Sequence, residues 1–269
     1  MADYVLTLGS LAALAAAALL IWRWKAGAPR SVGRAIGRIA LCVTVALAVV
    51  GVSTYFVMNS RSFQLAGALV DRVQTDKKVV ALTFDDGPTP GYTEQVLRTL
   101  KAYKACATFY LTGRESAENP TQLREIIAAG DELGNHTYSH RPLCFVSGAT
   151  VAAEIERTDA VFRSAGYHGP ITFRPPGCKR LLTATLYLAR HRRTTVTWDL
   201  EPDSIAAVAG DSDAIVKYVV DGVRPGSIVL MHVMYASREP TRKALPRILE
   251  RLSAEGYRFV TVSQLVALR

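Results

Sequence analysis

The sequence lacks a stripe of basic residues interleaved with aromatic residues, which a nucleic-acid groove would need. Its formal net charge is +9, but about half of that excess lies before residue 61, so the remainder of the chain is only modestly basic. The sequence also lacks an internal repeat and a low-complexity tract, and 49% of its residues are hydrophobic. These features argue against a nucleic-acid partner and against a disordered chain, and they favour a folded domain with one main core.

Charged residues are absent from two stretches near the N-terminus, residues 4–22 and 39–58. Each is about 20 residues long, which is enough to cross a hydrocarbon core of about 30 Å. The loop between them has no acidic residue and carries five basic ones: Arg23, Lys25, Arg30, Arg34 and Arg38. Because such a loop stays in the cytoplasm, residues 1–60 are predicted to form a multi-pass, two-helix transmembrane hairpin in a bacterial cytoplasmic membrane. The rest of the chain would then lie on the extracytoplasmic side.

A cleaved signal peptide is the alternative interpretation of these stretches. The first stretch has no basic start, however, and neither ends in a small-x-small cleavage site. Signal peptides have both features. A retained membrane anchor is therefore favoured.

Beyond residue 61 short apolar runs alternate with longer helical patterns, which predicts a linker over 61–73 and an α/β domain over 74–269. Candidate strands are 79–84, 108–111, 132–136, 171–173, 195–198, 228–232 and 258–261. Candidate helices are 93–104, 122–129, 149–165, 182–192, 213–223 and 241–255. This alternation indicates a parallel barrel or a doubly wound sheet, in which catalytic groups gather at the carboxyl ends of the strands.

Two polar motifs follow predicted strands. Asp85 and Asp86 end the first strand in the run LTFDDGPTP, and His136 and His140 stand four apart in NHTYSH. Neutral imidazoles with a nearby carboxylate make a three-ligand site for a divalent metal, with a position left for water. Each motif alone is common without any chemistry, since Asp-Asp-Gly-Pro often forms only a turn.

Three further motifs each follow a predicted strand. FRPPGC carries Arg174, VTWDLEPDS carries Trp198 followed by three acidic residues, and GSIVLMH ends in Leu230 and His232. In this order the five motifs resemble those of the polysaccharide deacetylase family, which has the NodB homology domain and is carbohydrate esterase family 4. The resemblance covers about residues 74–269.

The resemblance implies a distorted (β/α)7-type barrel and a metal-dependent hydrolase. By position, Asp85 corresponds to the general base, and Asp86, His136 and His140 correspond to the ligands of a divalent metal. Zinc is the expected ion, with cobalt, nickel or manganese as alternatives. His232 corresponds to the acid that protonates the departing amine.

The resemblance also assigns supporting roles. Arg174 would keep Asp85 ionised, because an opposite charge lowers the pKa of a carboxyl group. Trp198 and Leu230 would line the substrate site or simply pack in the core. Glu201 best matches the family's aspartate that tunes the pKa of the acid.

Two motifs depart from the family pattern. The third lacks its tyrosine and reads Arg174-Pro175-Pro176-Gly177-Cys178. Because the tyrosine position offers a backbone N–H to the developing oxyanion, Gly177 could still serve. The fourth motif lacks its terminal Asp-Trp and has Asp203-Ser204 instead.

The chain has four cysteines. Cys42 lies in a predicted span and Cys106 beside a predicted strand, which leaves Cys144 and Cys178 on loops that should both border the site. Because disulfides persist outside the cytoplasm, we hypothesise that these two form a pair. The alternative is two unrelated thiols.

The function expected from the sequence is removal of N-acetyl or O-acetyl groups from a cell-envelope glycan by a membrane-anchored enzyme. The partners would be an acetylated glycan and the membrane, with no nucleic acid. The alternatives are a deacylase or deformylase of a lipid-linked sugar, an inactive glycan-binding module, and a structural membrane protein. The intact TFDDGP run argues mildly against the deformylase.

Overall fold

A computed structural model describes residues 32–269 of the chain. The chain divides into two compact units, residues 1–60 and residues 61–269. The predicted first span, residues 4–22, lies outside the described residues.

The described part of the first unit is one helix, α1, Val32–Asn59. It has 28 residues, none of them buried, and an apolar window with a mean hydropathy of 2.3. At 1.5 Å per residue it is about 42 Å long, longer than a hydrocarbon core of about 30 Å. Its length and composition therefore suffice to cross a membrane, and it contains the predicted second span. The two-helix hairpin remains a prediction.

The second unit contains parallel β-strands. The strands are β1 (Leu69–Val70), β2 (Val79–Asp85), β3 (Thr108–Leu111), β4 (Glu132–Asn135), β5 (Thr195–Val196), β6 (Ser227–His232) and β7 (Arg258–Phe259). Five of them form one sheet in the order β4-β3-β2-β6, with β7 also paired to β2, while β1 pairs with β5. Six of the seven predicted strands are confirmed, with ends within two residues.

Helices connect the strands. They are α2 (Tyr92–Ala102), α3 (Gly113–Glu118), α4 (Pro120–Ala128), α5 (Gly148–Ser164), α6 (Leu182–Arg190), α7 (Ser212–Gly222), α8 (Glu239–Ala254) and α9 (Val262–Val266). All six predicted helices are confirmed within two residues at each end. The short helices α3 and α9 were not predicted, because five or six residues are too few to show a helical apolar period.

The predicted strand 171–173 is wrong. Only Phe173 makes bridges there, to Asn135 on one side and to Thr195 on the other. Proline has no N–H to donate to a ladder, and Pro170 precedes this segment while Pro175 and Pro176 follow it. A further single bridge joins Leu200 to Val229. The unit is an α/β fold with a five-stranded parallel sheet and a two-stranded one. Isolated bridges at Phe173 and Leu200 extend the pairing between them.

Residues 61–73 are not a separate linker, because they lie in the second unit. Leu69 and Val70 pair with Thr195 and Val196. The backbone N–H of Val73 donates to the Gly226 carbonyl at 3.0 Å. This pairing could not be predicted from the sequence, because a two-residue strand is too short for an alternating pattern.

Strand β2 runs through the middle of the main sheet and is buried along its whole length. Its alternate side chains enter different clusters: Leu82 and Phe84 lie in the larger hydrophobic cluster, whereas Val79 and Ala81 lie in a second one with Trp198. Because the strand alternates in this way, Asp85 is directed to the Trp198 side. The central strand therefore carries its last residue to the end of the sheet where the other polar motifs lie.

Candidate active site

The chain turns sharply after β2. Asp86 and Gly87 have φ of 74° and 73°, in the left-handed region that few residues other than glycine adopt. A Cβ on Gly87 would lie 2.8 Å from Cγ of Met234, so glycine is required for space as well as for conformation. The turn separates the directions of the two neighbouring carboxylates.

Asp85 forms a buried ion pair. Its Oδ1 accepts a hydrogen bond from Nη1 of Arg174 at 2.7 Å, with the arginine side chain 0% exposed and the aspartate side chain 4% exposed. Burial on its own raises the pKa of Asp85, but the charges of Arg174, His136 and His232 outweigh burial and lower it. Asp85 is therefore ionised at neutral pH.

Arg174 is fixed on every side. Its Nη1 also donates to the hydroxyl of Thr83 at 2.8 Å, and its Nε and Nη2 donate to the carbonyls of Val196 and Thr197. Its guanidinium lies 4.0 Å from the ring centroid of Tyr110. These contacts satisfy a charge that would otherwise be costly to bury.

Asp86, His136 and His140 form a cluster in which one ligand atom from each lies within 4.8 Å of the others. Oδ1 of Asp86 is 3.3 Å from Nε2 of His140 and 3.9 Å from Nε2 of His136. His136 is buried, whereas the His140 side chain is 51% exposed. These three could hold a divalent metal with one side open to solvent.

The tautomer of His136 fits a metal ligand. Its Nδ1 lies 2.7 Å from the carbonyl of Arg174, and because a carbonyl only accepts, Nδ1 carries the proton. Nε2 is then a lone-pair donor facing Asp86 and His140. Burial lowers the pKa of His136, which favours the neutral form that ligates metals. A donor set of two imidazoles and one carboxylate suits zinc.

His232 ends β6 and pairs in register with Asp85. Its Nδ1 donates to Oδ1 of Asp203 at 3.1 Å, so the ring is held by a carboxylate behind it. Burial on its own lowers the pKa of His232, but the hydrogen bond and charge of Asp203, with those of Asp85 and Asp86, raise it to about 9. In the described structure His232 is therefore an imidazolium at neutral pH.

Asp203, and not Glu201, is the acid behind His232. The Oε2 of Glu201 instead accepts from the indole N–H of Trp198 at 2.8 Å. Asp203 is buried, and it also accepts from the backbone N–H of His232 and from the hydroxyl of Thr241. The remaining acid of that motif, Asp199, accepts hydrogen bonds from the hydroxyl of Ser227 and from the backbone N–H of Ile228.

The remaining predicted residues lie around this centre. Trp198 and Leu230 are both buried in the hydrophobic cluster beside Arg174. Gly177 is exposed in the turn Pro176–Cys178 with a φ of 56°. Among the described residues no acceptor is seen for its N–H.

The disulfide is not formed: the structure has no bond between Cys144 and Cys178 in the part of the chain that it describes. Their two loops do meet, since the backbone N–H of Leu143 donates to the carbonyl of Lys179 at 3.1 Å. The Sγ of Cys178 lies 3.3 Å from Nη1 of Arg180, which acts as a donor to it. The loops are therefore joined through backbone groups.

Comparison with known proteins finds a match of residues 72–196 to the family model described as polysaccharide deacetylase. A peptidoglycan-N-acetylglucosamine deacetylase of Bacillus cereus is 35% identical over 77% of this chain and 96% of its own length. The peptidoglycan-N-acetylmuramic acid deacetylase PdaC of Bacillus subtilis is 32% identical over 72% of this chain and 40% of its own length.

Solved structures are similar as well. A peptidoglycan N-acetylglucosamine deacetylase in complex with a benzamide ligand has a TM-score of 0.70 and 29% identity, covering 74% of this chain and 92% of that chain. A carbohydrate esterase family 4 pseudoenzyme from Bacillus anthracis has a TM-score of 0.67 and 27% identity, covering 75% of this chain and 70% of that chain. Active and inactive proteins thus share this fold, and only the site residues can distinguish them.

Proposed function

The chain belongs to the polysaccharide deacetylase family, and from this premise we propose that it hydrolyses N-acetyl groups on the amino sugars of a cell-wall glycan, with peptidoglycan as the first candidate. The relatives named above carry this activity on N-acetylglucosamine or N-acetylmuramic acid residues. One observation carries the proposal: a buried carboxylate, a three-residue metal-type cluster and a carboxylate-backed histidine converge at one end of the sheet.

In this proposal Asp86, His136 and His140 hold a divalent ion. Zinc is the first candidate, and cobalt, nickel and manganese are the alternatives. Such an ion supplies polarisation of the acyl carbonyl and lowers the pKa of water. His136 is kept in its ligating tautomer by the Arg174 carbonyl, and Asp86 contributes the negative charge.

Asp85 is the proposed general base, which takes a proton from the attacking water. Its Oδ1 is occupied by Arg174, so Oδ2, which lies 3.6 Å from Nε2 of His136, is the oxygen that remains for the proton. Arg174 fixes that orientation and keeps Asp85 ionised.

His232 is the proposed general acid, which gives its proton to the departing amine. Asp203 holds Nδ1, so the proton that is transferred lies on Nε2. The raised pKa of His232 keeps this proton on the imidazole until it is transferred to the departing amine. Gly177 is proposed to offer its N–H to the developing oxyanion, with Trp198 and Leu230 as apolar support.

The deacetylase domain is proposed to extend over about 74–269 as a distorted (β/α)7-type barrel, with 61–73 as part of the same unit. Helix α1 is proposed as the second span of an N-terminal hairpin that anchors the domain at the extracytoplasmic face of the membrane. The five basic residues between the two predicted spans support this orientation, and two of them, Arg34 and Arg38, lie in the first turns of α1.

The test is acyl release by the full chain in detergent micelles. Peptidoglycan fragments, chitooligosaccharides and lipid-linked amino sugars are each incubated with and without a chelator, and acetate and formate are measured. We expect acetate from peptidoglycan fragments, lost with chelator and restored by zinc. Release from the lipid-linked sugars alone would mean that these, and not peptidoglycan, are the substrate. No release from any of the three would favour a pseudoenzyme.

A further inference from the structure

The two peptide planes that flank Asp86 are both held from outside the turn. The backbone N–H of Asp86 donates to the carbonyl of Tyr110 at 3.1 Å. The next N–H, that of Gly87, donates to Oε2 of Glu115 at 2.9 Å. Because these planes set φ and ψ of Asp86, the Glu115 carboxylate fixes one of the two angles that aim the Asp86 side chain.

Glu115 stands at the third position of α3, where an acid usually bonds back to the N-cap backbone N–H. In this chain the N-cap is Thr112, and its N–H is taken by the carbonyl of Gly87 at 3.2 Å. Glu115 is instead turned toward the Asp86 turn. Asn119, just after α3, donates to the carbonyl of Pro88 at 3.0 Å. Residues at the start and at the end of α3 therefore both make hydrogen bonds to the turn after Asp86.

The other carboxylate oxygen of Glu115 reaches the loop that follows His232. Oε1 accepts the hydroxyl of Tyr235 at 2.7 Å, and Oε2 also accepts the hydroxyl of Thr112 at 2.8 Å. Burial and the charges of Asp86 and Glu115 raise the pKa of Tyr235, so its hydroxyl keeps the proton that it donates. Met234 of the same loop packs against Gly87.

We propose that Glu115 is a positioning residue that aims the Asp86 carboxylate at its metal and ties this ligand to the segment after His232. The proposal rests on the function proposed above, in which Asp86 is a metal ligand. Glu115 contacts neither the metal nor the reacting atoms, and its effect passes through the backbone of Gly87. In the part of the chain that is described, its carboxylate makes no ion pair, and its three side-chain bonds all go to the Asp86 turn, the N-cap and Tyr235.

The experiment measures zinc affinity of the full chain in detergent micelles by competition with a chromophoric chelator, together with the visible absorption of the cobalt(II) form. Glu115→Ala is compared with Glu115→Gln, with Asp86→Asn as a benchmark and with Glu118→Ala as a matched control. Glu118 is exposed at the end of the same helix. Melting of the metal-free proteins reports on folding separately.

We expect Glu115→Ala to weaken zinc binding about 10- to 100-fold, as is usual for partners of metal ligands, and to change the cobalt spectrum. Glu115→Gln should lose less, because its amide oxygen still accepts from Gly87, and Glu118→Ala should match the unaltered chain. Wild-type affinity and spectrum in Glu115→Ala, with Asp86→Asn weakened, would overturn the inference alone. If Glu115→Ala does not fold, Glu115→Met replaces it, because methionine keeps the side-chain length but offers no oxygen to the Gly87 N–H. An unchanged zinc affinity and cobalt spectrum in Glu115→Met then overturns the inference. An unaltered chain that binds no zinc overturns the proposed function as well.

Discussion

Asp85 and Asp86 are neighbours in the chain, yet they lie in opposite surroundings. Asp85 faces an arginine that is 0% exposed, whereas Asp86 faces a histidine that is 51% exposed. The first side of the site is dry and held by a dense set of hydrogen bonds, and the second is open to water. A dry, fixed carboxylate needs little reorganisation to accept a proton, while an open cluster would leave space for the proposed metal and glycan.

Substitution of each aspartate by asparagine should separate the two sides most strongly. Asp85→Asn should keep the metal and reduce turnover by about 10² to 10⁴, which is the usual contribution of a general base. Asp86→Asn should weaken metal affinity, and excess metal should restore part of its turnover. Metal titration beside steady-state rates measures both. Loss of metal by Asp85→Asn, or unchanged affinity in Asp86→Asn, would show that the roles are assigned wrongly.

The dry side should also matter most for stability. Arg174→Met leaves the Asp85 carboxylate buried without its partner, so the free energy of unfolding should fall by about 3–5 kcal/mol. Urea unfolding in micelles, followed by tryptophan fluorescence, measures it. Arg174→Lys is the control, since it keeps the charge and loses the planar fork. A loss below that of an exposed ion pair would mean that water already reaches Asp85.

The pH dependence should report on the Asp203–His232 pair. Asp203→Asn removes an opposite charge, so the pKa of His232 should fall from about 9 by about 1–3 units. The alkaline limb of the kcat/KM profile should therefore move to lower pH. Glu201→Gln, whose carboxylate bonds Trp198 instead, should leave that limb in place. A shift in Glu201→Gln equal to that in Asp203→Asn would contradict the pairing.

The same pair has a linked effect on stability. The folded pKa of His232 lies above its ordinary value of 6.5, so the folded state binds the proton more tightly than the unfolded state. The stabilisation is therefore complete below about pH 6.5 and is lost as the pH rises through about 9. Unfolding midpoints of the unaltered chain and of Asp203→Asn should converge above that pH.

An exposed ion pair sets the lower end of the scale. Lys217 and Asp221 pair across one turn of α7 with side chains 77% and 60% exposed. Asp221→Ala should change the free energy of unfolding by no more than about 0.5 kcal/mol, because water screens such a pair. The same urea titration measures it. A loss of unfolding free energy comparable with that of Arg174→Met would contradict the distinction between the buried ion pair at Asp85 and this exposed one.

The sequence alone was enough to predict the strand ends that carry the site. The apolar run of β2 stops at Asp85, and the spacing of His136 and His140 predicts a pair of metal ligands, so their meeting at one end of the sheet could be expected from local pattern. Asp203 was different, because Asp199, Glu201 and Asp203 lie within five residues and only the turn over Pro202–Ser204 decides which one meets His232. The bonds of Glu115 were hidden for a related reason: its partners Gly87 and Tyr235 are distant in sequence.

The register of β2 against β6 bears on how the chain is made. Asp85 lies beside His232, and the 141 residues 86–226 separate the two strands. At about 5–20 residues per second, synthesis of that segment takes roughly 7–30 s. Throughout that interval one edge of β2, the longest strand of the described residues, has no β6 to pair with, and unpaired edges are sites of aggregation. The strand that later bears the aspartate pair therefore has one unpaired edge for most of the synthesis of the domain.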